Sequence, residues 1–200
     1  MKTFKNPEIN RKLLHLLFAA YPVLLVFCQN NFGTARLINF IFCFVIIGGD
    51  FVLRFALKHS ALQKVFYRNS ELSGTKKISG GVWIAISCLV LVSFFYASPQ
   101  IYTPPLLMIA FCDTLSSFIG KNFGRRKTLS TNKTIEGFAG FLLGGVPVYL
   151  VLILLSVHIA IPSFIFMLIF CALAELFIKI DDNISISIAY LISYGLVNFF

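Results

Sequence analysis

Long apolar stretches, separated by short polar segments, occupy most of the chain. Each stretch comes close to or exceeds the roughly 20 apolar residues that a helix needs to cross a hydrocarbon core about 30 Å thick. They predict seven membrane-spanning helices, at residues 13–29, 36–57, 80–98, 101–119, 138–158, 161–179 and 184–200. The last gives the weakest signal, because residues 184–188 alternate Ile and Ser. We therefore expect an all-α fold, a polytopic bundle of about seven transmembrane helices that forms one integral-membrane domain over residues 1–200.

The composition supports a membrane protein and removes one class of function. Of the 200 residues, 58% are hydrophobic and 12% are charged, about half the usual charged share of a soluble domain. The net charge of +9 would point to nucleic acid in a soluble protein. Beside a mean hydropathy of +0.87 it indicates contact with membrane lipids instead, and we expect no nucleic-acid partner.

The basic residues predict the orientation of the bundle. Short cytoplasmic loops hold an excess of Lys and Arg. Of the 17 basic residues, all except Arg36 lie at the N-terminus, in or beside the 58–79 segment, in the 120–137 segment or at residue 179. We therefore expect a multi-pass protein with a cytoplasmic N-terminus and a non-cytoplasmic C-terminus.

The acidic residues also lie on the cytoplasmic side, and three of them fall inside predicted helices: Asp50, Asp113 and Glu175. At about 1.5 Å per residue, they lie within roughly 10 Å of the cytoplasmic helix ends and could form the floor of a cavity open to the cytosol. Asp50 has Arg54 four residues later, and Glu175 has Lys179, so these two acids are expected to pair along their own helices.

The densest polar segment follows the fourth predicted helix. It begins at Asp113, which shares a helix face with Ser117, and continues through Gly120 and Gly124, where the backbone can approach a ligand closely. Five cations follow, at Lys121, Arg125, Arg126, Lys127 and Lys133. They suit a polyphosphate, and an acid at the near end of such a loop suits a divalent cation bridging the phosphates. The alternative is a loop that contacts anionic lipid, but the intramembrane Asp113 favours a nucleotide site.

This segment resembles a known signature. Asp113-x-x-x-Ser-x-x-Gly-Lys-x-Phe-Gly followed by Asn132-Lys-Thr-Ile-Glu-Gly is similar to the central motif of the CTP-dependent lipid-alcohol kinases, which include dolichol kinase, phytol kinase and the yeast-type diacylglycerol kinase. Less specific motifs of that family are resembled by Arg11-Lys-x-x-His15, by Glu71-Leu-Ser-Gly74 and by Ala174-Glu-x(5)-Asp-Asp-Asn183.

The resemblance implies CTP as the phosphoryl donor and a membrane alcohol (polyprenol or dolichol, phytol, or diacylglycerol) as the acceptor, at the cytoplasmic face. We expect Asp113, with Asp181 or Asp182, to hold Mg²⁺. Glu136 would brace the loop or bind the second ligand, and Asp113 or His15 would accept the proton of the alcohol. The nucleotide-binding residues would be Gly120, Lys121, Gly124, Arg125, Lys127 and Lys133.

Two other functions compete with the kinase. Phosphatidate cytidylyltransferase resembles the family in its central loop, but would be expected to show a Lys-Asp segment followed by Pro-Gly-His-Gly-Gly and Asp-Arg, which this chain lacks. A small transporter would place charges through the full membrane depth, whereas here the outer half has none apart from Arg36 at its edge.

Small residues on the fifth predicted helix indicate close helix packing. Gly140 and Gly144 form a Gly-x-x-x-Gly pair. The surface they create can lie within the bundle or between subunits, so a homo-oligomer through this helix is a further expectation.

Overall fold

The computed structural model of the protein describes residues 14–55, 78–128 and 133–199, and these are almost entirely helical. An apolar helical stretch, Leu14–Phe27, is interrupted by a turn at Ala19, and its second part is α1. The helices in chain order are α1 (Ala20–Phe27), α2 (Phe32–Phe55), α3 (Gly80–Phe95), α4 (Pro99–Phe123), α5 (Ile135–Leu154), α6 (Ile161–Phe177) and α7 (Asp182–Phe199). Within the described ranges, the only β-type pairing is one antiparallel bridge between Lys127 and Thr134.

Three of these helices, α2, α4 and α5, are long and apolar enough to cross a membrane. Leu14–Phe27, α3 and α6 are apolar but shorter. The expected all-α architecture is thus confirmed, and each predicted stretch overlaps a helix. Seven crossings remain a prediction.

The boundaries of α4 and α5 differ from the predicted ones for local reasons. Helix α4 begins at Pro99 rather than at residue 101, since a proline in the first turn loses no helical hydrogen bond. It ends at Phe123 rather than at residue 119. Helix α5 begins at Ile135, three residues early, because the Thr134 side chain caps it by accepting a hydrogen bond of 3.1 Å from the Gly137 N–H.

Helix α4 lies at the centre of the molecule and packs closely on α5. Most of its side chains are buried, including all from Tyr102 to Ala110. The glycines of α5 allow the close approach: a Cβ atom on Gly144 would lie 2.6 Å from the Cα of Cys112, and one on Gly140 would lie 3.0 Å from the Leu115 carbonyl oxygen. The Gly140–Gly144 face is therefore occupied by α4 of the same chain. A homo-oligomer through another face of this helix stays a prediction.

The outer surface of the bundle is apolar. Phe44 on α2, Phe94 on α3 and Leu154 on α5 are each more than 75% exposed. Exposed apolar side chains on this scale would be a liability in water but are ordinary against lipid tails.

Candidate functional site

Three carboxylates from three helices come together at one end of the bundle. Asp113 lies on α4, Glu175 near the end of α6, and Asp182 at the start of α7. Each offers an oxygen within 4.8 Å of an oxygen from the other two. Asp113 and Glu175 are only 1% and 3% exposed. We refer to Asp113, Glu175 and Asp182 as the carboxylate cluster.

The turn between α6 and α7 decides which acid enters the cluster. Asp181 accepts hydrogen bonds from the backbone N–H of Asn183, at 3.3 Å, and from its side-chain amide, at 2.8 Å. The same amide donates to the carbonyl of Gly80 on α3, at 3.1 Å. Asp181 therefore holds the start of α7 and lies outside the cluster, whereas Asp182 lies inside it. Of the two predicted metal ligands in this turn, the structure places only Asp182 beside Asp113.

Lys133 supplies positive charge to the cluster. Its ammonium donates to Glu175 Oε1 at 2.8 Å, to the Glu175 carbonyl oxygen at 2.6 Å and to Asp182 Oδ1. Burial by itself would lower the pKa of Lys133, but the charges of Asp182 and Glu175 outweigh it and raise the pKa above its ordinary value. Lys133 is therefore protonated at neutral pH and bridges α6 and α7.

His15 approaches the cluster from the first helical stretch. Its Nδ1 lies 3.6 Å from Asp113 Oδ2, and both side chains are buried. His15 and Asp113, which the sequence predicted as alternative proton acceptors, are thus neighbours in space although they are far apart in the chain. The adjoining Arg11 and the Glu71–Gly74 motif lie outside the described residues.

The loop between α4 and α5 carries the remaining predicted phosphate ligands. Its two sides are joined by hydrogen bonds from the Ile135 N–H to the Arg126 carbonyl, at 3.0 Å, and from the Thr128 N–H to the Lys133 carbonyl, at 2.8 Å. Residues 129–132 lie outside the described ranges. The side chains of Lys121, Arg125 and Lys127 are exposed on this loop and at the end of α4. Phosphate binding remains a prediction for these three residues.

Glu136 braces this loop. Its Oε2 accepts a hydrogen bond of 3.3 Å from the Arg126 N–H. This contact corresponds to the first of the two roles that the sequence left open for Glu136.

Gly120 and Gly124 are needed for packing within the chain. A Cβ on Gly124 would overlap the carbonyl oxygen of Gly120 and would lie 2.6 Å from Thr134 Cγ2. A Cβ on Gly120 would lie 2.9 Å from Thr134 Oγ1. Thr134 therefore makes a close approach to both glycines, and their contact with a nucleotide stays a prediction.

Glu175 and Ser116 are the site residues that the predicted ligand set omitted. The expected pairing of Glu175 with Lys179 is wrong. Helix α6 ends at Phe177, so Lys179 does not lie one helical turn after Glu175. Glu175 pairs with Lys133 instead. Ser116 Oγ donates to Glu175 Oε1 at 3.3 Å. Its depth in an apolar helix already placed Glu175 at the floor of the expected cavity, but the expected pairing with Lys179 kept it out of the predicted ligand set.

Asp50, the remaining acid predicted inside a helix, does not belong to the carboxylate cluster. Its Oδ2 accepts a hydrogen bond of 2.9 Å from Nε of Arg54, so the predicted pairing along α2 is confirmed.

Comparisons of the chain with models of protein families, with curated proteins and with solved structures found no match. Its function must therefore be inferred from the geometry of this site and from the motifs in its sequence.

Proposed function

We propose that the protein is a membrane phosphotransferase that moves the terminal phosphoryl group of CTP to the hydroxyl of a lipid alcohol. The observation that carries this function is the carboxylate cluster, which lies between the basic α4–α5 loop on one side and His15 on the other. A phosphoryl transfer needs positioning of two substrates and neutralisation of charge more than covalent help from the protein.

The donor set of the cluster fits Mg²⁺. Mg²⁺ prefers oxygen ligands, and its opposite ligands lie roughly 4 Å apart, close to the 4.8 Å that encloses the three carboxylate oxygens. Glu175 Oε2 is buried and accepts no hydrogen bond within the described residues. Asp113, Glu175 and Asp182 would hold the ion, which when bound neutralises charge on the phosphates.

Lys133 and the exposed cations have distinct tasks in this function. Lys133 lies against the cluster, and its three N–H groups bond Glu175 and Asp182. It would contact the phosphate nearest the ion by exchanging one of these hydrogen bonds for one to the phosphate. Lys121, Arg125 and Lys127 would bind the outer phosphates of a nucleotide that arrives from the cytosol. The identity of the base as cytosine rests on the sequence resemblance.

The acceptor reacts through its hydroxyl oxygen. That oxygen forms a bond to the γ-phosphorus, the bond from this phosphorus to the β–γ bridging oxygen breaks, and CDP leaves. The hydroxyl proton passes to His15 or to Asp113, which lie 3.6 Å apart and can share it. The products are a lipid phosphate and CDP.

A membrane location suits both substrates. The alcohol stays in the bilayer with its hydroxyl near the headgroups, and CTP comes from the cytosol, so the reaction belongs at the cytoplasmic interface. A bundle of seven spans with a cytoplasmic N-terminus would place the basic loop there.

Labelled CTP tests this function directly. Purified protein in lipid vesicles is incubated with Mg²⁺, a panel of lipid alcohols and CTP labelled in either the γ- or the α-phosphate. Label from the γ-phosphate should appear in the lipid. Lipid that acquires the α-phosphate would instead identify a cytidylyltransferase, and the absence of both labels would contradict enzymatic use of CTP.

Replacing Asp113 by Asn should abolish the transfer. Asn keeps the size of the side chain but removes the charge that faces the cation, and the loss of one such electrostatic contact costs about 10²–10³-fold in turnover. Asp50→Asn is the matched control, because Asp50 is also an intramembrane aspartate but pairs with Arg54 away from the cluster. Equal turnover in Asp113→Asn and in the unsubstituted protein would rule out the proposed site.

A further inference from the structure

A cavity of about 670 Å³ runs between the first helical stretch, α2 and α3. It is bounded by residues from Leu14 to Leu24, from Ile38 to Ile46 and from Gly80 to Ile84. His15 lines it, and the same His15 lies 3.6 Å from Asp113 of the carboxylate cluster. The cavity therefore adjoins the carboxylate cluster, with His15 between them.

The walls of the cavity are hydrocarbon. Among the described side chains that line it, only His15 and Tyr21 carry a polar group. The Tyr21 hydroxyl donates to Asn39 Oδ1, and its ring stacks on Phe42 with the ring centres 4.1 Å apart. His15 is turned to Asp113. Among the described side chains, the site thus offers one polar position, His15 at one end, and apolar contact elsewhere.

One side of the cavity opens laterally. Leu17, Ile41 and Val45 line it and are more than half exposed on the outer surface of the bundle. In a bilayer this surface faces lipid tails, so a molecule can enter from the membrane without crossing water.

Accepting the proposed function, we infer that this cavity binds the hydrocarbon chain of the acceptor, with the acceptor hydroxyl at His15, and that it selects an ester-free isoprenoid alcohol over a diacylglycerol. A single hydroxyl can meet the one polar position. The two ester carbonyls of a diacylglycerol would be buried against described side chains that offer no further donor, and a buried acceptor without a donor weakens binding.

The expected discrimination is measurable. One buried carbonyl left without a donor reduces affinity by roughly 5–150-fold, so phytol should be preferred to a diacylglycerol by at least about 10-fold in kcat/KM. Both alcohols are presented in the same vesicles with labelled CTP. A diacylglycerol that is phosphorylated as well as phytol, or better, would overturn the selectivity.

The location of the bound alcohol can be tested by photolabelling, which needs no catalytic turnover. A phytol analogue with a diazirine on its chain is photolysed with the unsubstituted protein in vesicles without nucleotide, and the adducts are mapped. They should lie on Leu14–Phe27, α2 or α3 and should be suppressed by excess phytol more than by diacylglycerol. Adducts confined to α5, α6 or α7 would overturn the assignment.

A substitution that fills the cavity provides a second test, through the KM for phytol. A Cβ on Gly81 would lie 3.6 Å from Ile46 Cγ2, an ordinary contact, so Gly81→Leu can fold while its longer side chain takes up cavity volume. It should raise the KM for phytol about 10-fold or more and leave the KM for CTP unchanged. Gly195→Leu is the matched control, since nothing lies within 4 Å of a Cβ at that position on α7. Equal KM values for phytol in both variants would contradict the assignment.

The two failures are distinguishable. If adducts map to the cavity but no phosphate moves from CTP to any alcohol, the proposed function is wrong and the cavity stands as a binding site for an isoprenoid alcohol. If phosphate moves but adducts map elsewhere, only the cavity assignment is wrong.

Discussion

Lys133 joins three parts of the site through its single ammonium group. It belongs to the α4–α5 loop, yet its ammonium reaches the backbone of α6 and carboxylates on α6 and α7. Removing only the lysine from two partly buried ion pairs of this kind lowers the stability of the fold, because both carboxylates remain in a site of low polarity without their cation.

Lys133→Met should therefore destabilise the protein by roughly 3 kcal/mol. Thermal unfolding in detergent, followed by the fluorescence of Trp83, the single tryptophan, measures the change. Millimolar Mg²⁺ should raise the unfolding midpoint of this variant more than that of the unsubstituted protein, because an added cation can replace the lost ammonium in the cluster.

Lys127→Met is the control for this prediction, since Lys127 lies on the same loop with an exposed side chain. Should both variants unfold at the same temperature, Lys133 contributes no more to stability than a surface lysine does.

For individual residues, the sequence predicts some members of the site and misses those whose contacts are with residues far away in the chain. Asp113 and the adjacent pair Asp181 and Asp182 could be chosen as candidates, because carboxylates inside an apolar helix or next to each other are costly unless a cation or a basic group lies nearby. The choice between Asp181 and Asp182 could not be made, because it depends on a hydrogen bond from Asn183 to Gly80, about a hundred residues away in sequence. The pairing of Glu175 with Lys133 is similarly long-range, whereas the local pair of Asp50 and Arg54 followed from spacing alone.

Among the helices, the contact between α4 and α5 carries the site, since α4 bears Asp113 and the loop before α5 bears Lys133. The two helices approach closely only because α5 has glycines where it faces Cys112 and Leu115. A change in that spacing should therefore affect both stability and the position of the loop.

Gly144→Ala should destabilise the protein by about 1–3 kcal/mol, since its methyl group would lie 2.6 Å from the Cα of Cys112 and force the helices apart. Gly48→Ala on α2 should instead be neutral or stabilise by about 0.5–1 kcal/mol, because nothing lies within 4 Å of a Cβ there and alanine favours the helix. Unfolding midpoints of the two variants in the same detergent compare these effects. A midpoint of Gly144→Ala at or above that of Gly48→Ala would contradict the packing described for α4 and α5.

The existence of each helix was predictable from hydropathy, since the apolar stretches are long and their separators polar. Their ends were less predictable. The start of α5 depends on the cap that Thr134 forms and on a loop whose sides pair through Arg126 and Ile135, and neither has a hydropathy signature.

For the whole molecule, the proposed function requires the basic loop and the α5–α6 connection to lie on opposite sides of the membrane. Single cysteines at Lys127→Cys and His158→Cys test this, because both positions are exposed. In sealed right-side-out vesicles, a membrane-impermeant maleimide should label the residue-158 variant and should label the residue-127 variant only after the vesicles are opened.

The unsubstituted protein sets the background for this labelling. Its five cysteines are buried, apart from Cys28, which is half-buried. Labelling of both substituted positions from the same side would exclude a crossing by α5.

The turn before α7 has a consequence for how the protein matures. Asp182 completes the carboxylate cluster, and the neighbouring Asn183 ties that turn to α3 through Gly80. Because synthesis runs from the N-terminus, Asp113, Lys133 and Glu175 are all made before this turn. A chain that ends before residue 181 would leave Lys133 with Glu175 as its one carboxylate partner in this cluster instead of two.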